Sequence, residues 1–363
     1  MKLICNTALL LLLVLNSSAQ DLNLISELDV ALNETSGLLY INNTLITHND
    51  SDATNQLFDV NPNTGTVTRT VTISNATNTD WEDITNDDTY IYIGDIGNNA
   101  GDRTNLKIYR ILIAEYFSST SVTAEEINYS YNDQTDFSTS PFATNFDAET
   151  LIHYNNNLYI FTKNWLDGKT NIYELSKSIG THSATFIDTI EVGGLTTAGS
   201  FNLDSNTVLL CGYGVNGPFV IYLEGFNNSL FSNGTITKTE VSVPTGYSSQ
   251  IEGLIPVSTT DYYITAEANN PDLQALYGFN ISTLKVEEFE DQNIIFYPNP
   301  AKRTITINGL YEEVSIYSLK GQFLKSSKIS KINISDLAAG VYIIKFQEKE
   351  SKTIITKQLV IKR

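Results

Sequence analysis

Five stretches of this chain repeat one pattern, and a repeat of this length restricts the choice of fold more than any other feature. Each unit has an acidic or polar residue followed by an apolar run, a turn, and a second apolar strand that ends in a polar residue. The units are ETSGLLYINNTLITHND from Glu34, WEDITNDDTYIYIGD from Trp81, AETLIHYNNNLYIFTKN from Ala148, TAGSFNLDSNTVLLCGY from Thr197 and IEGLIPVSTTDYYITAE from Ile251. Two further strands usually follow each unit. A period of about 50 residues with four strands per unit is typical of a β-propeller.

The spacing between the acidic residues sets the number of units. Glu34 and Glu82 are 48 residues apart, and Glu149 follows Glu82 by 67 residues. Glu252 lies 103 residues beyond Glu149, across two units. The longer second spacing is assigned to a loop insertion at 135–145.

These units predict an all-β protein with a five-bladed propeller at 20–292. The segment NLISELDV at 23–30 is predicted to supply the outer strand of the last blade and so to close the ring. Six blades is the alternative, if the long second spacing contains a degenerate blade.

The charge distribution indicates a second domain at the end of the chain. Residues 293–363 hold 12 basic and 5 acidic side chains, whereas residues 21–292 hold 9 basic and 36 acidic ones. Because the long segment is a strong polyanion, it is not expected to bind nucleic acid through phosphates. The tail contains short β-rich runs that predict a small β-sandwich at 293–363.

Several ordered motifs of the tail carry a family resemblance. They are the opening YPNP at 297–300, the strand SIYSLKGQ at 315–322, the segment ISDLAAGVYIIKF at 334–346 and the basic end. The tail resembles the type A sorting domain of the type IX secretion system. This resemblance implies export to the outer-membrane surface or the medium of a Gram-negative bacterium. It also implies that the secretion machinery and its sortase-like peptidase are partners of residues 293–363.

The start of the chain fits the same route. Residues 1–19 have one basic residue, a short apolar run and small residues before a cleavage point, which is typical of a secretory signal peptide. No later stretch approaches the length of about 18 apolar residues that suggests a membrane span, so the mature chain is predicted to lack one. Only Cys211 remains after cleavage, which excludes an internal disulfide.

The propeller units carry a second, diffuse resemblance. The stretches WEDI, DAETL and IEGL are similar to units of secreted propellers of the esterase-like phytase and NHL-like groups. The resemblance implies the fold, and no catalytic residue is transferred from it.

The repeat also predicts a binding site. In a propeller the first strand of each blade lines the central channel, so residues at its start face one mouth. The polar residue that ends each unit is expected to face the same cavity. The residues predicted to line this mouth are Glu34, Asn49, Glu82, Asp95, Glu149, Lys163, Glu252 and Glu267.

The mutual repulsion of carboxylates in such a ring must be offset by another interaction. Two carboxylates about 5 Å apart repel by roughly 3 kcal/mol at an effective dielectric constant of about 20. A bound cation would relieve this, and oxygen ligands favour calcium, with Glu82, Asp95 and Glu252 as the predicted ligands. Zinc is disfavoured, because the mature chain has one cysteine and three histidines without ligand spacing.

Three interpretations of these acids stay open at this point. They pin blade to blade by accepting backbone N–H groups, hold a structural ion, or form a ligand site. No catalytic set stands out, and a combination of Ser36, His48 and an acid is the only nucleophile candidate. The sequence therefore favours an extracellular binding or scaffold module with an unknown ligand. The alternative is a calcium-dependent hydrolase acting on phosphate or sugar esters.

Overall fold

The computed structural model describes residues 20–50, 54–283, 294–309, 311–347 and 354–362. The chain divides into two compact units, Met1–Leu284 and Lys285–Arg363. The predicted signal peptide and the predicted domain boundary after residue 292 lie outside the described residues. None of the helices in the described part of the chain has the length and apolar character needed to span a membrane.

The first unit is built from short, mostly antiparallel strands, and the inner strands of each blade are buried over most of their length. Two strands precede the blades, β1 (Gln20–Asp21) and β2 (Asn23–Glu27). Blade 1 contains β3 (Thr35–Ile41), β4 (Thr44–Asn49), β5 (Gln56–Val60) and β6 (Val67–Ile73). Blade 2 contains β7 (Trp81–Asn86), β8 (Tyr90–Asp95) and β9 (Lys107–Leu112), then α1 (Ile113–Ser118), β10 (Ser121–Val122) and β11 (Glu125–Tyr131).

The remaining blades follow the same order. Blade 3 contains β12 (Ala148–Tyr154), β13 (Asn157–Thr162), β14 (Thr170–Ser176) and β15 (Gly180–Ile190). Blade 4 contains β16 (Leu195–Asn202), β17 (Thr207–Gly214), β18 (Gly217–Glu224) and β19 (Thr235–Ser242). Blade 5 contains β20 (Ile251–Pro256), β21 (Asp261–Ala266) and β22 (Ala275–Asn280). Short 3₁₀ helices occur at Val30–Leu32, Phe231–Asn233 and Ile281–Thr283.

The fourth strand of blade 5 comes from the other end of the unit. Strand β2 pairs antiparallel with β22, with Asn23 opposite Gly278 and Glu27 opposite Ala275. The innermost strands contact one another in the order β3, β7, β12, β16, β20 and back to β3. The propeller therefore has five blades, and the predicted closure by the segment 23–30 is confirmed. A closed ring leaves few exposed strand edges.

The long spacing between the second and third units has two sources. The predicted loop at 135–145 lies between β11 and β12 and contains no strand. The inserted α1 and β10 add further length, which the sequence interpretation had assigned to the loop alone. Strand β10 pairs with β6 of blade 1, and β11 pairs parallel with β15 of blade 3. Blades 2 and 3 thus form one continuous eight-stranded sheet.

The second unit consists of two small sheets over their own core. Its strands are β23 (Ile295–Tyr297), β24 (Thr304–Asn308), β25 (Glu313–Ser318), β26 (Phe323–Ser327), β27 (Lys331–Asn333), β28 (Gly340–Gln347) and β29 (Ile354–Ile361). One sheet has the order β23-β24-β27 and the other β26-β25-β28-β29. Ile305, Ile316 and Ile344 are fully buried among the apolar residues of this unit. The predicted sandwich is therefore confirmed.

Candidate functional site

A β-bulge in the innermost strand of every blade creates the site. Pairing with the second strand skips one residue at the same point in each blade, and a skipped residue aims its side chain differently from the regular pleat. The skipped residues are Gly37, Glu82, Glu149, Thr197 and Glu252. Three of the five blades therefore direct a glutamate toward the same mouth of the channel.

The first blade departs from the predicted alignment. Glu34 is exposed and lies before β3, and Gly37 occupies the bulge instead. A Cβ on Gly37 would lie 2.7 Å from His48 Nε2 and 2.9 Å from the Cα of Asp83. Because these neighbours fill the space, only glycine fits there. The sequence prediction aligned Glu34 with the other glutamates. This alignment is wrong by three residues, because Gly37 occupies the equivalent position.

The predicted register of Asp95 is wrong by one residue. Asp95 pairs with Trp81, the residue before the bulge, whereas Lys163 lies one position beyond the corresponding pair in blade 3. Ile96 is the true counterpart of Lys163. A slip of one residue sends a side chain to the other face of the sheet. Asp95 accordingly turns to Arg103, whose Nη2 donates to its Oδ1 at 2.7 Å.

The ammonium group of Lys163 balances negative charge in one half of the mouth. Its Nζ donates to Glu149 Oε1 at 2.9 Å, and both side chains are buried. The ammonium also lies 5.1 Å from the ring centre of Trp165 and 5.5 Å from that of Tyr213. Burial opposes the charged form, but the carboxylates of Glu149 and Glu252 raise the pKa of Lys163 well above its usual range. This half therefore contains a buried ion pair.

The other half of the mouth has three carboxylates that approach one another. Oxygen atoms of Asp50, Asp80 and Glu82 all lie within 4.8 Å of each other. Glu82 is 3% exposed, and its carboxylate accepts no hydrogen bond from the described residues. Burial and the charge of Asp50 raise the pKa of Glu82 well above its usual range. This half of the mouth holds an excess of negative charge.

Gly97 borders the three carboxylates. A Cβ at this position would lie 2.1 Å from Glu82 Oε1 and 2.4 Å from Asp80 Oδ2, so glycine is needed for their close approach. Arg103 is already engaged nearby, because its Nη1 donates to the carbonyl of Gly97 at 2.6 Å and its Nη2 to Asp95.

The other residues that were predicted to line the mouth lie at its rim or already have hydrogen-bond partners. Glu267 is half-buried and accepts a hydrogen bond from Gln250 Nε2, and Glu34 lies beside it. Asn49 is buried, and its Nδ2 donates to the carbonyl of Ala31 at 2.8 Å. Of the three predicted metal ligands, only Glu82 belongs to the close group of carboxylates found among the described residues. Asp95 and Glu252 lie outside that group.

Sequence reasoning missed the contributions of Asp50 and Asp80. Asp80 lies two residues before the bulge, as Asp147 does in blade 3, and this shared offset was a usable signal. Asp50 follows β4 directly and has no acidic counterpart in the other units, so no repeat pattern pointed to it.

Side chains other than the repeated glutamates connect the blades. Asp83 Oδ2 accepts the backbone N–H of Leu151 at 2.8 Å, which ties blade 2 to blade 3. Ser36 Oγ donates to the carbonyl of Glu82 at 2.6 Å, which ties blade 1 to blade 2. His48 is fully buried and its Nδ1 contacts the carbonyl of Asn49. Ser36 and His48 therefore have structural contacts, which do not resemble those of a nucleophile and its base.

Comparison with known proteins identifies the tail. Residues 295–362 match the family described as the secretion system C-terminal sorting domain. The tail is a type IX sorting domain. It implies secretion to the cell surface or the medium in Bacteroidetes and interaction with the type IX machinery. No curated protein matches this chain.

Solved structures similar to this chain are distant. PorZ of Porphyromonas gingivalis, a surface component of the type IX secretion system, is 14% identical, with a TM-score of 0.34 over 91% of this chain and 45% of PorZ. An aldose sugar dehydrogenase of Streptomyces coelicolor is 10% identical, with a TM-score of 0.41 over 72% of this chain and 98% of that chain. The β-xylosidase/α-arabinofuranosidase CoXyl43 from a compost metagenome is 8% identical, with a TM-score of 0.41 over 72% and 94%. No activity of this chain follows from such similarities.

The raised pKa values of the mouth predict how stability depends on pH without cations. Burial and the charge of Asp50 raise the pKa of Asp80 to about 7, and burial and Glu34 raise that of Glu267 to about 8. A carboxyl with a raised folded-state pKa stabilises the fold at low pH, and this contribution is lost as pH rises through that pKa. We expect the melting temperature in chelator, measured by calorimetry, to fall by several degrees between about pH 6.5 and pH 8.5.

In this pH window the effect of the carboxyls on stability can be distinguished from that of the buried His48. Burial lowers the pKa of His48 to about 4, so its stabilising contribution is complete above its ordinary value near 6.5 and changes only below the window. Glu267→Gln should flatten the pH profile, because the group that titrates near the upper end is removed. A melting temperature that rises across the window would contradict the assignment of raised pKa values to the mouth.

Proposed function

We propose that the propeller is an extracellular binding module whose acidic mouth holds a divalent cation, with Asp50, Asp80 and Glu82 as protein ligands. Calcium is the favoured ion, because all three residues offer carboxylate oxygens and calcium accepts several such ligands in flexible geometry. The ion would stabilise the mouth and present a positive centre to a ligand from outside the cell. The tail would be removed by the sortase-like peptidase after export.

One observation carries this proposal. A glutamate that is 97% buried, without a hydrogen bond from the described residues, faces two other carboxylates within 4.8 Å. At that separation each charged pair repels by roughly 3 kcal/mol at an effective dielectric constant of about 20. Lys163 is bound to Glu149, and Arg103 to Asp95, so each of these cations has a carboxylate partner of its own. A bound cation would compensate the buried charge of Glu82.

Thermal unfolding of the full chain with calcium and with chelator tests the proposal. A ligand that binds only the folded state adds about 2.7 kcal/mol to stability at 100 times its dissociation constant. We expect calcium to raise the melting temperature by several degrees, and Glu82→Gln to abolish this shift because a charged ligand is lost. Gly97→Ala should abolish it independently, since the added methyl group occupies the space beside Glu82 and Asp80.

Glu115→Gln serves as the matched control for charge removal. Glu115 is exposed on α1, outside the mouth, and its substitution should leave the calcium shift unchanged. Equal shifts in the wild type, Glu82→Gln and Glu115→Gln would mean that calcium acts on the general negative charge, and the proposed centre would be wrong. The hydrolase alternative stays a prediction from the sequence, to be tested by turnover of phosphate and sugar esters with calcium present.

A further inference from the structure

A cavity of about 570 Å³ lies at the opposite end of the central channel. It is lined by Thr85, Ser200 and Ile255, each of which comes three residues after the bulge of its innermost strand. The hairpins that join the first two strands of blades 2, 3 and 4 form its walls. Three residues of strand span about 10 Å, and none of the cavity's lining residues belongs to the acidic mouth. The cavity is therefore a separate site.

The hairpin tips bring uncommitted amide groups to this cavity. Asn155, Asn156 and Asn206 have φ angles of 46°, 67° and 53°, which tight hairpin turns require and asparagine tolerates. The turn geometry explains why asparagine is favoured at these positions, but it does not require the side-chain amide to make any contact. All three are exposed, and their side-chain amides make no hydrogen bond to the described residues. Each amide offers both a donor and an acceptor.

Aromatic and apolar surface lies beside these amides. The rings of Tyr154 and Phe201 meet edge to face, with centroids 4.8 Å apart, and both line the cavity. Leu203 extends the surface at the tip of the blade 4 hairpin and is 79% exposed. Aromatic rings next to hydrogen-bonding groups suit ligands that have both apolar faces and polar edges.

The charges of the cavity are largely compensated. Lys177 Nζ lies 2.7 Å from Asp87 Oδ2, which also accepts the hydroxyl of Tyr92 at 2.9 Å. This leaves Asp88 as the other charged lining residue. Asp88 is exposed to solvent, so this single negative charge does not require an ionic ligand, in contrast to the carboxylates of the acidic mouth.

We propose that this cavity binds a neutral oligosaccharide. The amides of Asn155, Asn156 and Asn206 would hydrogen-bond to sugar hydroxyls, and Tyr154 and Phe201 would contact the apolar faces of the sugar rings. The volume lies within the range of roughly 300–1,000 Å³ that is usual for small-molecule sites. The proposal is independent of the cation centre, because the two sites share no residue.

The test uses the labelled full chain on an array of neutral, acidic and basic glycans, followed by calorimetric titration of free oligosaccharides that bind. The double variant Asn155→Gly/Asn156→Gly removes two amides, and glycine keeps the positive φ angles. Its matched control is Asn42→Gly/Asn43→Gly in the blade 1 hairpin, where φ is 50° and 59° and neither residue lines the cavity.

We expect a neutral glycan to bind in chelator as well as in calcium. The Asn155/Asn156 double variant should bind it at least tenfold more weakly, which corresponds to about 1.4 kcal/mol, and the Asn42/Asn43 control should bind normally. Phe201→Leu should also weaken binding, since the aromatic face is lost. Binding of charged glycans only, no binding of any neutral glycan, or equal loss in both double variants would overturn the proposal.

Discussion

A chain that stops after residue 292 should not leave the cell envelope. Residues 295–362 form the type IX sorting domain, which lies entirely in the second compact unit. The truncated protein keeps all five blades and the strand β2 that closes them, so the propeller should fold. We expect immunoblots of cell fractions to show the full-length protein at the surface or in the medium, and the truncated protein in the periplasm.

A transfer experiment provides the control for this truncation. Residues 293–363 attached to a periplasmic reporter should carry that reporter to the surface or the medium. Mass spectrometry of the secreted propeller should show that the tail has been removed, if the peptidase processes it as proposed. Secretion of the truncated chain at the level of the full-length protein would show that the export information lies elsewhere.

Lys163→Met should cause the largest loss of stability among single changes at the mouth. The substitution leaves Glu149, which is buried, without the ammonium that lies 2.9 Å from its carboxylate. Removing one partner of a buried ion pair typically costs about 3–5 kcal/mol, because the remaining charge cannot be hydrated. We expect a loss of this size near pH 8 in denaturant unfolding, and a smaller loss at low pH, where Glu149 can take up a proton.

Two variants distinguish the cost of breaking the buried ion pair from the effect of removing any lysine. Lys169 pairs with Glu191 at 2.6 Å, but their side chains are 35% and 78% exposed, so Lys169→Met should change the stability little. The double variant Lys163→Met/Glu149→Gln should recover part of the lost stability, since the carboxylate that the ammonium contacts directly is removed as well. If Lys163→Met were as mild as Lys169→Met, the ion pair would not be buried in solution.

Much of the fold was predictable because it depends on local patterns. Turn residues and alternating apolar positions identified the first two strands of each blade, and their spacing gave five units. The closing strand was identified because an apolar segment at 23–30 had no unit of its own. The extra helix α1 was missed, since its six residues are too few to show a helical period.

The candidate site was predicted only in part. The glutamates at 82, 149 and 252 recur at one position of the repeat, so the sequence alone placed them together. Glu34 and Asp95 were misplaced by three residues and by one residue, because the alignment matched acidic and polar residues, whereas the register is set by the bulge position, which is not visible in the apolar pattern. Each misplacement changes which way a side chain points.

The sequence by itself determined the class of the protein: five similar units, a closing strand, an acidic propeller and a basic sorting tail. The tertiary structure decided which charges meet. Asp80 is a near neighbour of Glu82 along the chain, but Asp50 lies 30 residues before Asp80 and reaches the two only because blades 1 and 2 pack side by side. The physical reason is that strand patterns arise from neighbours along the chain, whereas the energy of a carboxylate depends on charges, burial and hydrogen bonds that the packing of distant segments brings together.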